Sequence, residues 1–116
     1  MKYVHPGLPG SLVSFRKRYG NYIGGKFAEP GFGNYFTNTS PVTGQPIAEF
    51  PRSDAKDIEL ALDAAHAAAD AWGKTSVQAR SNVLLAIADR IESRLEMLAL
   101  TETWDNGKPI RETLNA

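Results

Sequence analysis

The sequence predicts a mixed chain. A small antiparallel β unit over residues 21–51 precedes three to four α-helices over 54–116, with no strand between the helices. Three observations carry that reading. Two glycines sit between short apolar runs in Tyr22-Ile-Gly-Gly-Lys-Phe27, the pattern of a tight hairpin. Past Pro51, apolar residues recur at every third or fourth position instead of alternating. No β-branched apolar run, the mark of a buried parallel strand, interrupts the second half.

Residues 1–20 read as an irregular N-terminal arm punctuated by His5-Pro-Gly-Leu-Pro-Gly10. In the hairpin that follows, Gly24-Gly25 supplies the positive φ a two-residue turn needs. A loop over Glu29-Pro-Gly-Phe-Gly-Asn34 leads into a short strand from Tyr35 to Thr39. Ser40-Pro-Val-Thr-Gly44 is a turn, because proline presets φ and glycine tolerates what other residues do not. Pro46-Ile-Ala-Glu-Phe-Pro51 alternates and closes the unit as a strand, bounded by prolines that cannot donate to a ladder.

The first helix is expected from about Asp54 to Trp72, on the repeat of Ile58, Ala61, Leu62, Ala65, Ala69 and Trp72. Asp54 suits its N-cap, Asp57 favours the positive end of the helix dipole, and Gly73 ends it. Thr75-x-x-Gln78 reads as a capping box for a second helix that buries Val83, Leu84, Ile87, Ala88 and Ile91. A further box, Ser93-x-x-Glu96, opens a third helix carrying Leu95, Leu98 and Ala99. Asn106-Gly107 stops it, and Pro109 fits the first turn of a fourth helix, expected to have barely opened at Ala116.

At 116 residues the chain suffices for one domain and not for two. With 42% hydrophobic and 22% charged residues it falls among globular chains, not disordered or fibrous ones. Net charge is zero but unevenly spread: Lys2, Arg16, Lys17, Arg18 and Lys26 precede the first acid, Glu29. Three charges at Arg16-Lys-Arg18 lack the footprint that nucleic-acid backbone binding needs, so a solvated loop is expected there. No apolar run approaches the ~20 residues of a membrane span, and Leu12-Val-Ser-Phe15 is too short for a signal peptide. Pro6, Pro9 and the early glycines oppose the helix of a transit peptide, so a cytoplasmic location is expected. Zero cysteines exclude disulfides, thiolate metal sites and cysteine nucleophiles within the segment.

Few residues invite chemistry. Gly31-Phe-Gly33-Asn-Tyr-Phe36 begins like a dinucleotide fingerprint, but Phe36 stands where the third glycine belongs. It also precedes a strand, whereas a phosphate cradle opens a helix; a flexible hairpin loop is the preferred reading. His66 shares a helix face with Glu59, Asp63 and Asp70, an arrangement able to hold a divalent ion weakly. A solvated polar face opposite the Ile58/Leu62/Trp72 stripe is the plainer account. His5 has no evident partner. Glu102 and Asp105 are three apart and can converge, or Asp105 can serve the C-terminal turn; Lys108 can reach an anion or stay a surface lysine. These residues alone specify a hairpin and helices without an active site.

The motifs also fall in a familiar order. Tyr22-Ile-Gly-Gly-Lys-Phe27, Ser40-Pro-Val-Thr-Gly-Gln-Pro-Ile-Ala-Glu-Phe50, Asp57-Ile-Glu-x-Ala61, Ala64-Ala65 with Trp72, Arg80, Ile87-Ala-Asp-Arg-Ile-Glu92 and Asp105-Asn-Gly-Lys-Pro109 resemble the N-terminal region of NAD(P)-dependent aldehyde dehydrogenases, over about residues 20–116. The arm Val13-Ser-Phe-Arg-Lys-Arg-Tyr-Gly-Asn-Tyr22, with Thr103-Trp-Asp-Asn-Gly107 and Arg111-Glu-Thr-Leu-Asn-Ala116, is most similar to bacterial acetaldehyde-type members.

That resemblance implies a larger α/β enzyme. It would have a Rossmann-like domain for NAD or NADP, a catalytic domain, and a β-arm joining subunits into a homodimer or homotetramer. The implied reaction oxidises a small aldehyde, acetaldehyde or another aliphatic one, to the carboxylic acid. A cysteine thiolate attacks the carbonyl, hydride passes to the nicotinamide, and a glutamate activates the water that hydrolyses the thioester. An asparagine side chain and a backbone amide steady the oxyanion. By the resemblance, all of these residues, and the lysine on the cofactor ribose, fall beyond position 116. The expected site list for this segment is therefore empty: no catalytic, cofactor-binding or metal residue. Residues 21–116 would be the N-terminal part of the cofactor-binding domain, structural in role. Some members bind a monovalent cation through backbone carbonyls where Asn38 and Thr39 lie, and the completing carboxylate is expected after Ala116.

Two classes of function stand side by side. One is a segment of an aldehyde dehydrogenase, inactive alone and working with the remainder of that chain and its other subunits, without nucleic acid or membrane. The other is a stand-alone helical interaction module or decayed gene product without enzymatic activity. A downstream reading frame bearing a cysteine distinguishes them.

Overall fold

A computed structural model describes residues 3–115. Its elements are β1 (Asn21–Ile23), β2 (Lys26–Ala28), β3 (Tyr35–Thr39), β4 (Pro46–Pro51), α1 (Ala55–Gly73), α2 (Val77–Glu92), α3 (Leu95–Asn106) and α4 (Ile110–Thr113). The β unit is two separate antiparallel pairs, β1 with β2 and β3 with β4. In the first, Gly24 and Gly25 take φ of 60° and 83°, the double positive φ of a type I′ turn. That turn sets Tyr22 opposite Phe27, their rings edge-on at 5.1 Å. In the second, Phe36 faces Phe50, and the register jumps from Asn38↔Ala48 to Thr39↔Pro46, a bulge next to the proline that cannot donate.

The arm is less irregular than its composition suggests. Residues 17–19 lie parallel to β4: Tyr19 N–H donates to Glu49 O, and Glu49 N–H to Lys17 O, both at 3.0 Å. Arg18 pairs with the Glu49 carboxylate at 2.7 Å and lies 4.1 Å over the Tyr35 ring. Tyr19 stacks flat on Phe50. The outer edge of β4 is thereby partly covered.

Of the three long helices, α1 starts as expected and α2 and α3 do not. Asp54 caps α1, accepting from the Lys56 and Asp57 amides at 2.9 and 3.1 Å, and Asp57 Oδ2 accepts from the Asp54 amide at 3.1 Å. That completes a reciprocal capping box. The expected box at Thr75-x-x-Gln78 does not form. The Thr75 hydroxyl is spent on Trp72 O at the end of α1, and Gln78 bonds Asn82. Ser76, one residue later, caps α2 by accepting from the Ala79 amide. Nor does Ser93-x-x-Glu96 act as a box: Ser93 is the C-cap of α2 and donates to Arg90 O, and α3 opens behind Arg94 without a side-chain cap. Gly73 is the last residue of α1. Gly107 closes α3 at φ 79°, and Pro109 stands just before α4 as its N-cap, one position earlier than its expected place in the first turn.

The core sits where the arm, β4 and α3 meet, at Val13, Ala48, Ala99 and Leu100. The long helices are another matter. Val83, Leu84, Ile87 and Ile91, expected to be buried, are between 45% and 68% exposed, and Ile58, Leu62 and Trp72 fall in the same range. Asp57 is the only buried residue of α1, and α2 has none. The cause is the lack of an apposed layer: a helix stripe needs a second element to cover it. Accessible surface totals 8674 Å², about 2,400 Å² above the scaling for a folded monomer of this length. The radius of gyration, 17.6 Å, likewise exceeds the ~13 Å of a compact domain.

Candidate functional site

The Gly31–Gly33 loop spends its amides inside the chain. Gly31 N–H donates to Asp57 Oδ1 at 2.8 Å, and Gly33 N–H to Pro30 O at 2.8 Å. The carboxylate at the start of α1 thus occupies the donor that a phosphate would need. Asp57 is 4% exposed, so both its oxygens serve as buried acceptors for backbone. The motif anchors a loop to a helix N-terminus.

His66 stays exposed with Glu59 and Asp63, while Asp70 pairs with Lys74 one turn on at 2.6 Å. Among the described residues no group of three or more His, Cys, Asp or Glu side chains is placed to hold a metal. Glu102 and Asp105 bond different partners. Glu102 faces Lys108 Nζ at 3.7 Å and Asn106 Nδ2 at 3.4 Å, whereas Asp105 accepts from Asn38 Nδ2.

That last contact belongs to a polar cluster, a seam between the end of β3 and the end of α3. Ser40, 2% exposed, donates its hydroxyl to Trp104 O. Pro41 lies against Gly107, where an added Cβ would come within 3.0 Å of Pro41 Cγ. Thr103 and the buried Thr113 share a hydroxyl contact at 3.2 Å that fastens α4. The His5 ring lies 5.0 Å from the Trp104 ring, giving that histidine the partner its sequence context withheld. A cleft of ≈ 460 Å³ opens beside the seam, between the arm, β4 and α3, lined by Phe15, Tyr19, Ile47, Phe50 and Leu98.

The seam ties the end of α3 to the end of β3. Its two hydrogen bonds from Asn38 and Ser40 to α3 span 67 and 64 residues of chain, so no local spacing announces them. Through its bond to Asn38, Asp105 brings a carboxylate to the end of β3.

The sequence profile of the aldehyde dehydrogenase family matches residues 28–116. The chain belongs to that family. It is 74% identical, over all 116 of its residues, to an acetaldehyde dehydrogenase of Pseudomonas aeruginosa, of which it covers 23%. Its fold matches a crystal structure of an NAD-dependent aldehyde dehydrogenase from Sinorhizobium meliloti with a TM-score of 0.81 and 31% identity, over 97% of this chain and 23% of that one. A second match is PnpE in complex with nicotinamide adenine dinucleotide, with a TM-score of 0.80 and 35% identity, over 83% of this chain and 20% of that one. The chain spans under a quarter of the length of each of these proteins and corresponds to the N-terminal part of the bacterial aldehyde dehydrogenases. The hairpins and helices are accordingly elements of a larger α/β fold. No helix among the described residues is long and apolar enough to cross a membrane.

Proposed function

We propose that the chain is the structural N-terminal part of an NAD(P)-dependent aldehyde dehydrogenase. The complete enzyme would oxidise a small aldehyde, acetaldehyde or another aliphatic one, to its acid through a cysteine thioester. It would work with NAD or NADP as a cytoplasmic homodimer or homotetramer. The observation that carries this reading is the half-exposed stripe along α1 and α2 in a chain covering 23% of its relative. A face of that size needs cover, and the remaining three quarters of such an enzyme would supply it.

The residues present do not fit a dinucleotide: the one G-x-G run gives its first amide to Asp57 and lies ahead of a strand. Nor can they supply the thiolate, since the chain has no cysteine. What the segment does is mechanical. It seats the hairpin on α3 through the seam and presents α1 and α2 to the rest of the fold. The test is to assay acetaldehyde-dependent reduction of NAD and NADP, with the pure 116-residue chain beside the product of its continued reading frame. The continued product should turn over and the segment should not. Turnover by the segment alone overturns the structural role, and an in-frame stop after residue 116 shifts the reading to an interaction module.

A further inference from the structure

Asn106 is the one asparagine of six that precedes glycine. We propose that Asn106–Gly107 is a site of spontaneous amide-to-acid modification, gated by the C-cap of α3. The chemistry needs only water. Once Gly107 N gives up its proton, it attacks Asn106 Cγ. The N–Cγ bond forms, the Cγ–Nδ2 bond breaks, and Nδ2 leaves as ammonia with the proton, giving a five-membered cyclic imide. Water then opens the imide at either C–N bond. One route yields aspartate, and the other yields isoaspartate, whose backbone runs through the former side chain. Nothing is oxidised or reduced. Glycine suits the attacking position because it has no Cβ to shield its nitrogen.

Three features of the folded chain hold the reaction back. Gly107 N–H donates to Thr103 O at 2.9 Å, which keeps the proton that must leave. Asn106 Oδ1 accepts from Lys108 N–H at 2.8 Å, fixing the side chain that must swing over. Asn106 is also the last helical residue, and a planar imide ring requires Cβ and the following nitrogen to eclipse, which the helical ψ forbids. The seam reinforces all three, since Asn38 holds Asp105 and Ser40 holds Trp104 O in the same last turn. Opening of that turn is therefore the step that admits reaction.

Modification would then keep the turn open. It puts a negative charge at the helix C-terminus, where the dipole is already negative and Glu102 and Asp105 already stand. Isoaspartate adds a backbone carbon where Gly107 fits closely against Pro41. Across a population of chains, conversion thus records, irreversibly, the time that the contact between α3 and the β3–β4 hairpin spends open.

The test incubates the 116-residue chain at mildly alkaline pH in native buffer and in concentrated urea, with peptide mass spectrometry following each asparagine and chromatography separating isoaspartate from aspartate. Conversion in urea should centre on Asn106. In buffer it should be slower by about tenfold, the ratio that ~1.4 kcal/mol of gating sets. Asn38→Ala, which unties Asp105, should bring the buffer rate toward the urea rate, and Asn106→Gln should abolish the signal. Equal rates in buffer and urea, or conversion spread evenly over the other asparagines, overturn the proposal.

Discussion

Replacing Asp57 with alanine should unfasten the start of α1 and the loop before β3 together. The carboxylate is 4% exposed and accepts one backbone N–H on each oxygen, from Gly31 at 2.8 Å and from Asp54 at 3.1 Å. Alanine removes the protein partner of both donors. A hydrogen bond to a charged acceptor contributes about 1.5–3 kcal/mol, and the two here share one group, so a local loss of about 3 kcal/mol is expected. Asp57→Asn keeps one acceptor oxygen and should lose roughly half as much. The loss is local, and amide hydrogen exchange at Gly31 and Asp54, read by NMR, reports it. Protection of Gly31 should fall by roughly a hundredfold in Asp57→Ala, the ratio that ~3 kcal/mol sets. An unchanged Gly31 exchange rate would refute the claim that this carboxylate holds the loop.

The half-exposed α1–α2 stripe should make the isolated chain self-associate, and Leu84→Glu with Ile87→Glu should disperse it; a compact monomer in sedimentation before any substitution refutes this. Gly107→Ala should cost about 1–2 kcal/mol for the left-handed φ alone, with the Pro41 contact adding to it, and thermal unfolding followed by circular dichroism measures the sum. Arg18→Ala should shift the same transition by less than about 1 kcal/mol, because its pair with Glu49 is half in solvent; a larger shift would show that the arm's parallel bridge depends on that pair.

Elements with local causes were legible in advance. Gly24-Gly25 dictates its turn through φ, the prolines of Pro46–Pro51 bound their strand, and Asp54 reaches amides two and three residues on. Where two residues competed for one local role, the pattern misled. Thr75 and Ser76 both suit an N-cap, and the choice fell to Ser76 because the last turn of α1 had taken the Thr75 hydroxyl. Ser93 likewise serves the helix behind it instead of the one ahead. The seam was illegible for another reason. Asn38 with Asp105 and Ser40 with Trp104 are joined by tertiary packing across most of the chain, and no periodicity encodes that.

The apolar stripe shows how far such a reading extends. Spacing of 3–4 residues correctly marks Leu62, Trp72, Leu84 and Ile87 as one kind of surface, yet burial is a property of two surfaces, and the pattern describes only one. The same logic explains why the family was plain from the sequence. Turn glycines, capping acids and the Asn-Gly-Lys-Pro109 stop are conformational devices, so they identify a fold by its joints. The chain has no cysteine, and the first amide of its one G-x-G loop is bonded to Asp57 of its own first helix. The surplus of about 2,400 Å² belongs to the whole chain, and the exposed apolar side chains of α1 and α2 contribute to it.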